Sequence, residues 1–330
     1  MLRKSLLSGV AVLATIVVVA STAQAEALRD NWCKDVKLRF FSGGAEGDAF
    51  GTIVYNGAKQ AQNDTGAQVD FVFSGWNSEK MVQQLREAVA SKPNGIAMMG
   101  HPGDDAIFPL AEQAAKDGIK MMYQNVPVPK VVAAFGGGYV GAQQEPQGRA
   151  LGVEAVRLGG LKAGDTAIMI GPFANENRGA RERGTVMAME EAGVKVVKID
   201  SPTEWAADPN LALPVITAAI LNNPGVKAIG YPGGQLLGNV PTYMQAAKKN
   251  PGEIFSFGFD TSPQIVEAFN GGWVQLTADQ QPFLQGYLPI VNLCQQVVYG
   301  LGPINVDTGA GFVTTENYKM VGDLATEGLR

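Results

Sequence analysis

The residues that could do chemistry in this chain are single polar or aromatic groups placed just after short apolar runs. Asp48 and Phe50 follow the run 36–41, His101 follows 95–99, and Asn125 follows 119–123. Arg181 lies shortly beyond 166–170, Trp205 follows 195–199, Asp260 ends 254–259, and Gln280 follows 274–277. Carboxylate, amide and guanidinium groups bond vicinal hydroxyls in pairs, and Phe and Trp rings cover apolar C–H faces. Together they suit an uncharged polyol such as a sugar held in a closed, dry cleft. An acid would need more cations than one arginine. Each residue also has a plain structural reading. Asp48 and Asp260 could cap the helices that follow, Phe50 could be core, and Arg181 could pair with Glu182 or Glu176. Trp205 could cover a loop, Asn125 and Gln280 could be turn residues, and His101 could cap a loop. Trp76 and Trp273 are assigned to packing.

Enzyme chemistry has little to stand on. No Gly-x-Ser-x-Gly elbow occurs, and the single histidine, His101, cannot build a triad alone. The loop Ser42-Gly43-Gly44-Ala45-Glu46-Gly47-Asp48 carries acids where a diphosphate would need bare amides, and no Gly-Lys-Ser/Thr phosphate loop is present. The expectation is therefore a protein without a catalytic step and without a cofactor. One His and two Cys exclude a four-ligand zinc site of the His/Cys kind. A formal charge of −5 argues against a nucleic-acid surface, which needs a basic face.

The elements that must position these residues alternate in type. Strands are expected at 36–41, 69–73, 95–99, 119–123, 166–170, 195–199, 227–231, 254–259 and 274–277. Helices are expected at 50–65, 78–89, 105–117, 147–158, 177–192, 209–221, 240–249, 262–270 and 283–298. The length of 330 residues suits roughly two domains. The β-α-β-α order restarts after Gly136-Gly137-Gly138, so the fold class is α/β, with two doubly wound parallel-sheet lobes joined by a hinge. The Gly-rich stretch 136–141 suits a hinge linker. Ligands of such sheets bind beyond the carboxyl ends of the strands, which places one site between the lobes.

Residues 1–25 read as a signal peptide. Arg3 and Lys4 precede the apolar run 6–20, and Ala23-Gln24-Ala25 offers a small-x-small cleavage site before Glu26. The apolar run of about 15 residues is short for a spanning helix. The product is expected in the periplasm, cut after Ala25. Export permits a disulfide between Cys33 and Cys294, against the alternative of two buried thiols.

At these residues the chain resembles the type I periplasmic sugar-binding proteins, the ribose- and galactose-binding family of ABC importers. Ala180-Arg181-Glu182-Arg183-Gly184, Gly258-Phe259-Asp260, Thr277-Ala278-Asp279-Gln280-Gln281-Pro282 and Asp48-Ala49-Phe50 carry the similarity, in that family's order and spacing. The resemblance implies that Phe50 and Trp205 stack on a sugar, and that Asp48, Asn125, Arg181, Asp260 and Gln280 bond its hydroxyls. Two positions depart from the ribose pattern, with Val126 in place of an Arg and Gly233 in place of an Asn, so His101 or Gln124 would supply missing bonds. It also implies discontinuous lobes, 26–140 plus 281–301 and 141–280 plus 302–330, which puts Cys33 and Cys294 in one lobe. The implied role is capture of a small neutral sugar or sugar alcohol for an ABC permease in the inner membrane, by a monomer, with a chemoreceptor as a further candidate partner. Presentation of a sugar-like signalling molecule to a receptor is the alternative. A regulator of the lactose-repressor type would need a DNA-binding helix pair where this chain has a leader.

Overall fold

Strands buried on both faces dominate the chain and force it into layered sheets. In β6 (below), Ala167 and Met169 enter one apolar core while Ile168 and Ile170 enter another, as the period of two requires when helices cover both faces. The structure is a computed structural model and describes residues 31–309 and 311–330. The expected signal peptide and its cleavage site after Ala25 lie outside the described residues.

The chain begins with β1 (Lys37–Gly43), α1 (Ala49–Thr65), β2 (Gln68–Phe73), α2 (Ser78–Ala90), β3 (Gly95–Met99), α3 (Asp104–Lys116), β4 (Lys120–Gln124), α4 (Pro129–Phe135) and β5 (Gly138–Gly141). It continues through α5 (Gln144–Leu158), β6 (Thr166–Gly171), α6 (Ala180–Glu191), β7 (Lys195–Asp200), α7 (Glu204–Ala207), a 3-10 turn (Pro209–Ala212), α8 (Leu213–Asn222) and β8 (Val226–Tyr231). Then come α9 (Gly234–Gly238), α10 (Val240–Ala246), β9 (Phe255–Phe259), α11 (Pro263–Asn270), β10 (Leu276–Asp279), α12 (Pro282–Tyr299), β11 (Asn305–Asp307), β12 (Gly311–Thr314) and α13 (Tyr318–Thr326).

Two six-stranded sheets result, ordered β11-β5-β4-β3-β1-β2 and β12-β10-β9-β8-β6-β7. All pairings are parallel except β12 against β10. The α/β, doubly wound class read from the sequence is therefore the fold. Two details differ from expectation. Residues Gly138–Gly141 are not a free linker but the buried strand β5, paired with β4 and β11. Strand β11 belongs to the first sheet, although the expected division gives 302–330 to the second lobe.

Helix ends follow their capping residues. Asp48 caps α1 by accepting from the Gly51 N–H at 2.6 Å, Asn77 caps α2, and Ser262 caps α11. Helix α12 leaves the second sheet through Gln281, crosses to the first, and packs on α1 and on β3, β4 and β5. Cys294 in this helix is bonded to Cys33, with Cα atoms 5.8 Å apart.

Candidate functional site

Strand ends from both sheets converge on one cavity of about 310 Å³, within the size range of small-molecule sites. Phe50, His101, Asn125, Arg181, Trp205, Asp260 and Gln280 all line it. Of the residues expected from sequence, Asp48 is the exception. It sits behind the wall, with its carboxylate taken by the chain's own donors: the Gly51 N–H, the Trp76 Nε1–H at 3.1 Å and the Gln235 Nε2–H at 2.7 Å. Burial raises its pKa from the ordinary aspartate value, with Asp260 adding to the rise and the three hydrogen bonds opposing it.

The polar floor is one connected network. Asp260 takes a φ of 79° just past β9, a left-handed conformation that Asp tolerates better than most residues. There its carboxylate accepts from the Gly234 N–H at 2.8 Å and from the Gln280 amide. Asn125 also has positive φ (64°) and donates to Gln280 Oε1 at 3.1 Å and to Gln285 Oε1 at 3.0 Å. Arg181, at the start of α6, is only 3% exposed. Its guanidinium lies 4.1 Å from the centre of the Phe259 ring and donates to Glu182 Oε1 and to the Pro232 carbonyl. Burial holds its pKa below the usual arginine value, with Arg178 contributing.

Arg178, absent from the sequence reading, also lines the cavity and bonds the same two acceptors, Glu182 Oε1 at 2.8 Å and Pro232 O at 2.9 Å. The cleft thus holds a second guanidinium, but Glu182 and Asp260 stand against the pair. An uncharged ligand with several hydroxyls matches this balance better than an anion. Gln235 and Trp76 were likewise missed as lining residues. Val126 is fully buried and Gly233 contributes backbone alone, so neither restores the groups absent from the ribose pattern. Gln124 is also buried outside the lining, donating to the Phe41 carbonyl at 2.8 Å.

Aromatic rings form the other wall. Trp76 lies 5.8 Å from Phe50 and 5.0 Å from His101, centre to centre, while Trp205 comes from α7 on the opposite lobe. The His101 imidazole is held well below its usual pKa by burial first, then by Arg178 and Arg181, and its buried Nδ1 has no partner among the described residues. Trp273 packs on the apolar core of the second sheet, as expected. Among the described residues no cluster of His, Cys, Asp and Glu could hold a metal ion, and no helix is long and apolar enough to cross a membrane.

Residues 40–300 match the family described as periplasmic binding protein domain. A xylose/arabinose-binding protein of Sulfolobus acidocaldarius is 24% identical over 248 residues, 72% of this chain and 60% of that protein. The chain thus spans about 60% of the length of this curated relative. A carbohydrate transporter of Acidothermus cellulolyticus, solved with myo-inositol, superposes with a TM-score of 0.77 at 21% identity, covering 89% of this chain and 99% of that one. An ABC transporter solute-binding protein of Burkholderia graminis, solved with D-arabinose, gives 0.76 at 22% identity, covering 88% and 98%.

Proposed function

Because the chain belongs to the periplasmic binding protein family, we propose that it is the substrate-binding component of an ABC importer, taking a small neutral sugar or sugar alcohol into the cleft. The observation that carries this reading is the joint lining of the cavity by Asp260, Asn125, Gln280 and Arg181 with Phe50 and Trp205. Polar planes serve the hydroxyls and rings serve the C–H faces. The two sheets are the cores of two lobes, the first built mainly from residues up to 140 plus 281–301 and the second from 141–280 plus the C-terminal tail apart from strand 305–307. Strand 305–307 pairs in the first sheet. Closing the lobes over the ligand gives the form that docks on a membrane permease. Nothing is turned over in this role, so the ligand leaves as it entered. Export with cleavage after Ala25, a monomeric state and a chemoreceptor as second partner complete the proposal.

The test is a thermal-shift screen of the protein without residues 1–25 against pentoses, hexoses, polyols and furanosyl signalling molecules. A ligand at a hundred times its Kd stabilises by about 2.7 kcal/mol, readily seen as a raised Tm. A hit among neutral sugars, recovered chemically unchanged after incubation, supports the reading. Shifts confined to the signalling molecules favour the sensor role, and a silent panel overturns the site.

A further inference from the structure

We propose that Trp76 is a specificity-determining residue of the cleft and that Asp48 is the positioning residue that holds its indole. This rests on the sugar-binding reading above. A tryptophan that only filled space would not need the backbone that Trp76 has. Its φ is 60°, a left-handed conformation that is rare for a bulky side chain and persists where the surroundings enforce it. Those surroundings are specific. Gly43 has φ 87°, and a Cβ there would lie 2.5 Å from the indole Cζ3 and 2.7 Å from Cη2, so the ring rests directly on the end of β1. At the neighbouring Gly44 a Cβ would lie 2.6 Å from Asp48 Oδ1, which leaves room for the carboxylate that takes the indole N–H. The ring is then closed in by Phe50 and His101 and still borders the cavity.

The consequence is chemical. With its N–H spent on Asp48, Trp76 offers a ligand carbon alone. The neighbouring His101 also lines the cavity, and its buried Nδ1 has no partner among the described residues. This wall therefore accepts a C–H edge over the indole. An epimer that turns a hydroxyl onto the indole loses water without gaining a partner. Trp76 in this way reads the configuration at one ring carbon, and Asp48 does so only through Trp76.

The experiment measures Kd by calorimetry for the best neutral-sugar hit and its epimers. The proteins are the parent, Trp76→Phe, Trp76→Leu, Asp48→Ala and the Asp48→Ala/Trp76→Leu double variant. Trp76→Leu is expected to reduce the ratio between the best ligand and its disfavoured epimer by about tenfold. Trp76→Phe keeps a ring without the N–H and is expected to retain more of that ratio, so it keeps the test alive if the Leu variant fails to fold. Asp48→Ala is expected to lower the ratio in the parent and to have no further effect on it in Trp76→Leu, the non-additivity of residues acting through one another. An unchanged ratio in both Trp76 variants overturns the specificity role, and an additive Asp48 effect overturns the positioning role. If the parent itself binds no neutral sugar, the sugar-binding reading falls, and this proposal falls with it.

Discussion

Asp260 concentrates the residue-scale argument, since its carboxylate accepts from the Gly234 N–H and the Gln280 amide where it lines the cavity. A charge-assisted hydrogen bond is worth about 1.5–3 kcal/mol, so Asp260→Ala is expected to weaken sugar binding by about 10- to 150-fold in a calorimetric titration. An unchanged Kd would remove Asp260 from the ligand contacts. His101 makes a prediction of the opposite kind, about stability. Its folded pKa lies well below the usual 6.5 because burial and then Arg178 and Arg181 disfavour the imidazolium. Below pH 6.5 the unfolded chain therefore binds a proton that the folded chain refuses. Stability then drops as pH falls, by at most about 1.4 kcal/mol per pH unit from this group. Asp48, raised by burial, acts with the opposite sign but nearer the carboxylate range. Urea melts between about pH 7 and 5 are expected to show a shallower pH slope in His101→Gln than in the parent, and equal slopes would contradict the buried neutral imidazole. Asn125, Asp260 and Gln280 were legible in the sequence because each directly follows a strand end that a parallel sheet aims at the cleft. Arg178, Gln235 and Trp76 were not, since no strand end or motif marks them and only the folded path of their loops and helix starts brings them to the cavity.

At the scale of elements, paired glycines set how closely helices approach. A Cβ at Gly148 in α5 would stand 1.8 Å from the Arg181 carbonyl, and one at Gly57 in α1 2.0 Å from the Phe283 carbonyl of α12. Gly148→Ala is therefore expected to push α6 away and to weaken ligand binding through Arg181, with a lowered Tm. Gly57→Ala is expected to lower the Tm with less effect on affinity. Equal effects of the two on affinity would refute that α6 spacing places Arg181. The Cys33–Cys294 bond closes a loop of 261 residues, for which the chain-entropy relation gives about 5.6 kcal/mol. Replacing either cysteine with serine is expected to lower the Tm under oxidising conditions and to leave it unchanged under strong reductant, where the parent falls to meet it. The central strands were legible as unbroken apolar runs, β3 being buried throughout. Strands β5, β11 and β12 were not, because Gly-Tyr-Val-Gly, Asn-Val-Asp and Gly-Phe-Val-Thr are too short for periodicity to act on. Their state comes from the sheet edge they join.

For the whole molecule, the lobes meet through a small number of polar contacts beside the cavity. Gln235 reaches Asp48, and Asn177 donates to Asp104 Oδ2 at 3.1 Å and to the Pro127 carbonyl at 3.0 Å. Opening the cleft is expected to break these bonds, and Asn177, which does not line the cavity, would then bias the equilibrium between open and closed forms without touching the ligand. Asn177→Ala is expected to enlarge the ligand-free radius of gyration in small-angle scattering and to weaken binding severalfold, while the ligand-bound radius stays at the parent value. A ligand-free radius identical to the parent's would show that this contact does not hold the lobes. The two-lobe plan was legible because the strand–helix alternation visibly restarts, whereas the contacts between lobes depend on a closure angle that no local pattern encodes. The first lobe also draws α12 and β11 from the far end of the chain. A polypeptide delivered from its N-terminus therefore presents β1 to β5 without α12 and with an unpaired edge at β5 until almost all of it has emerged. The lobe that starts first is completed nearly last.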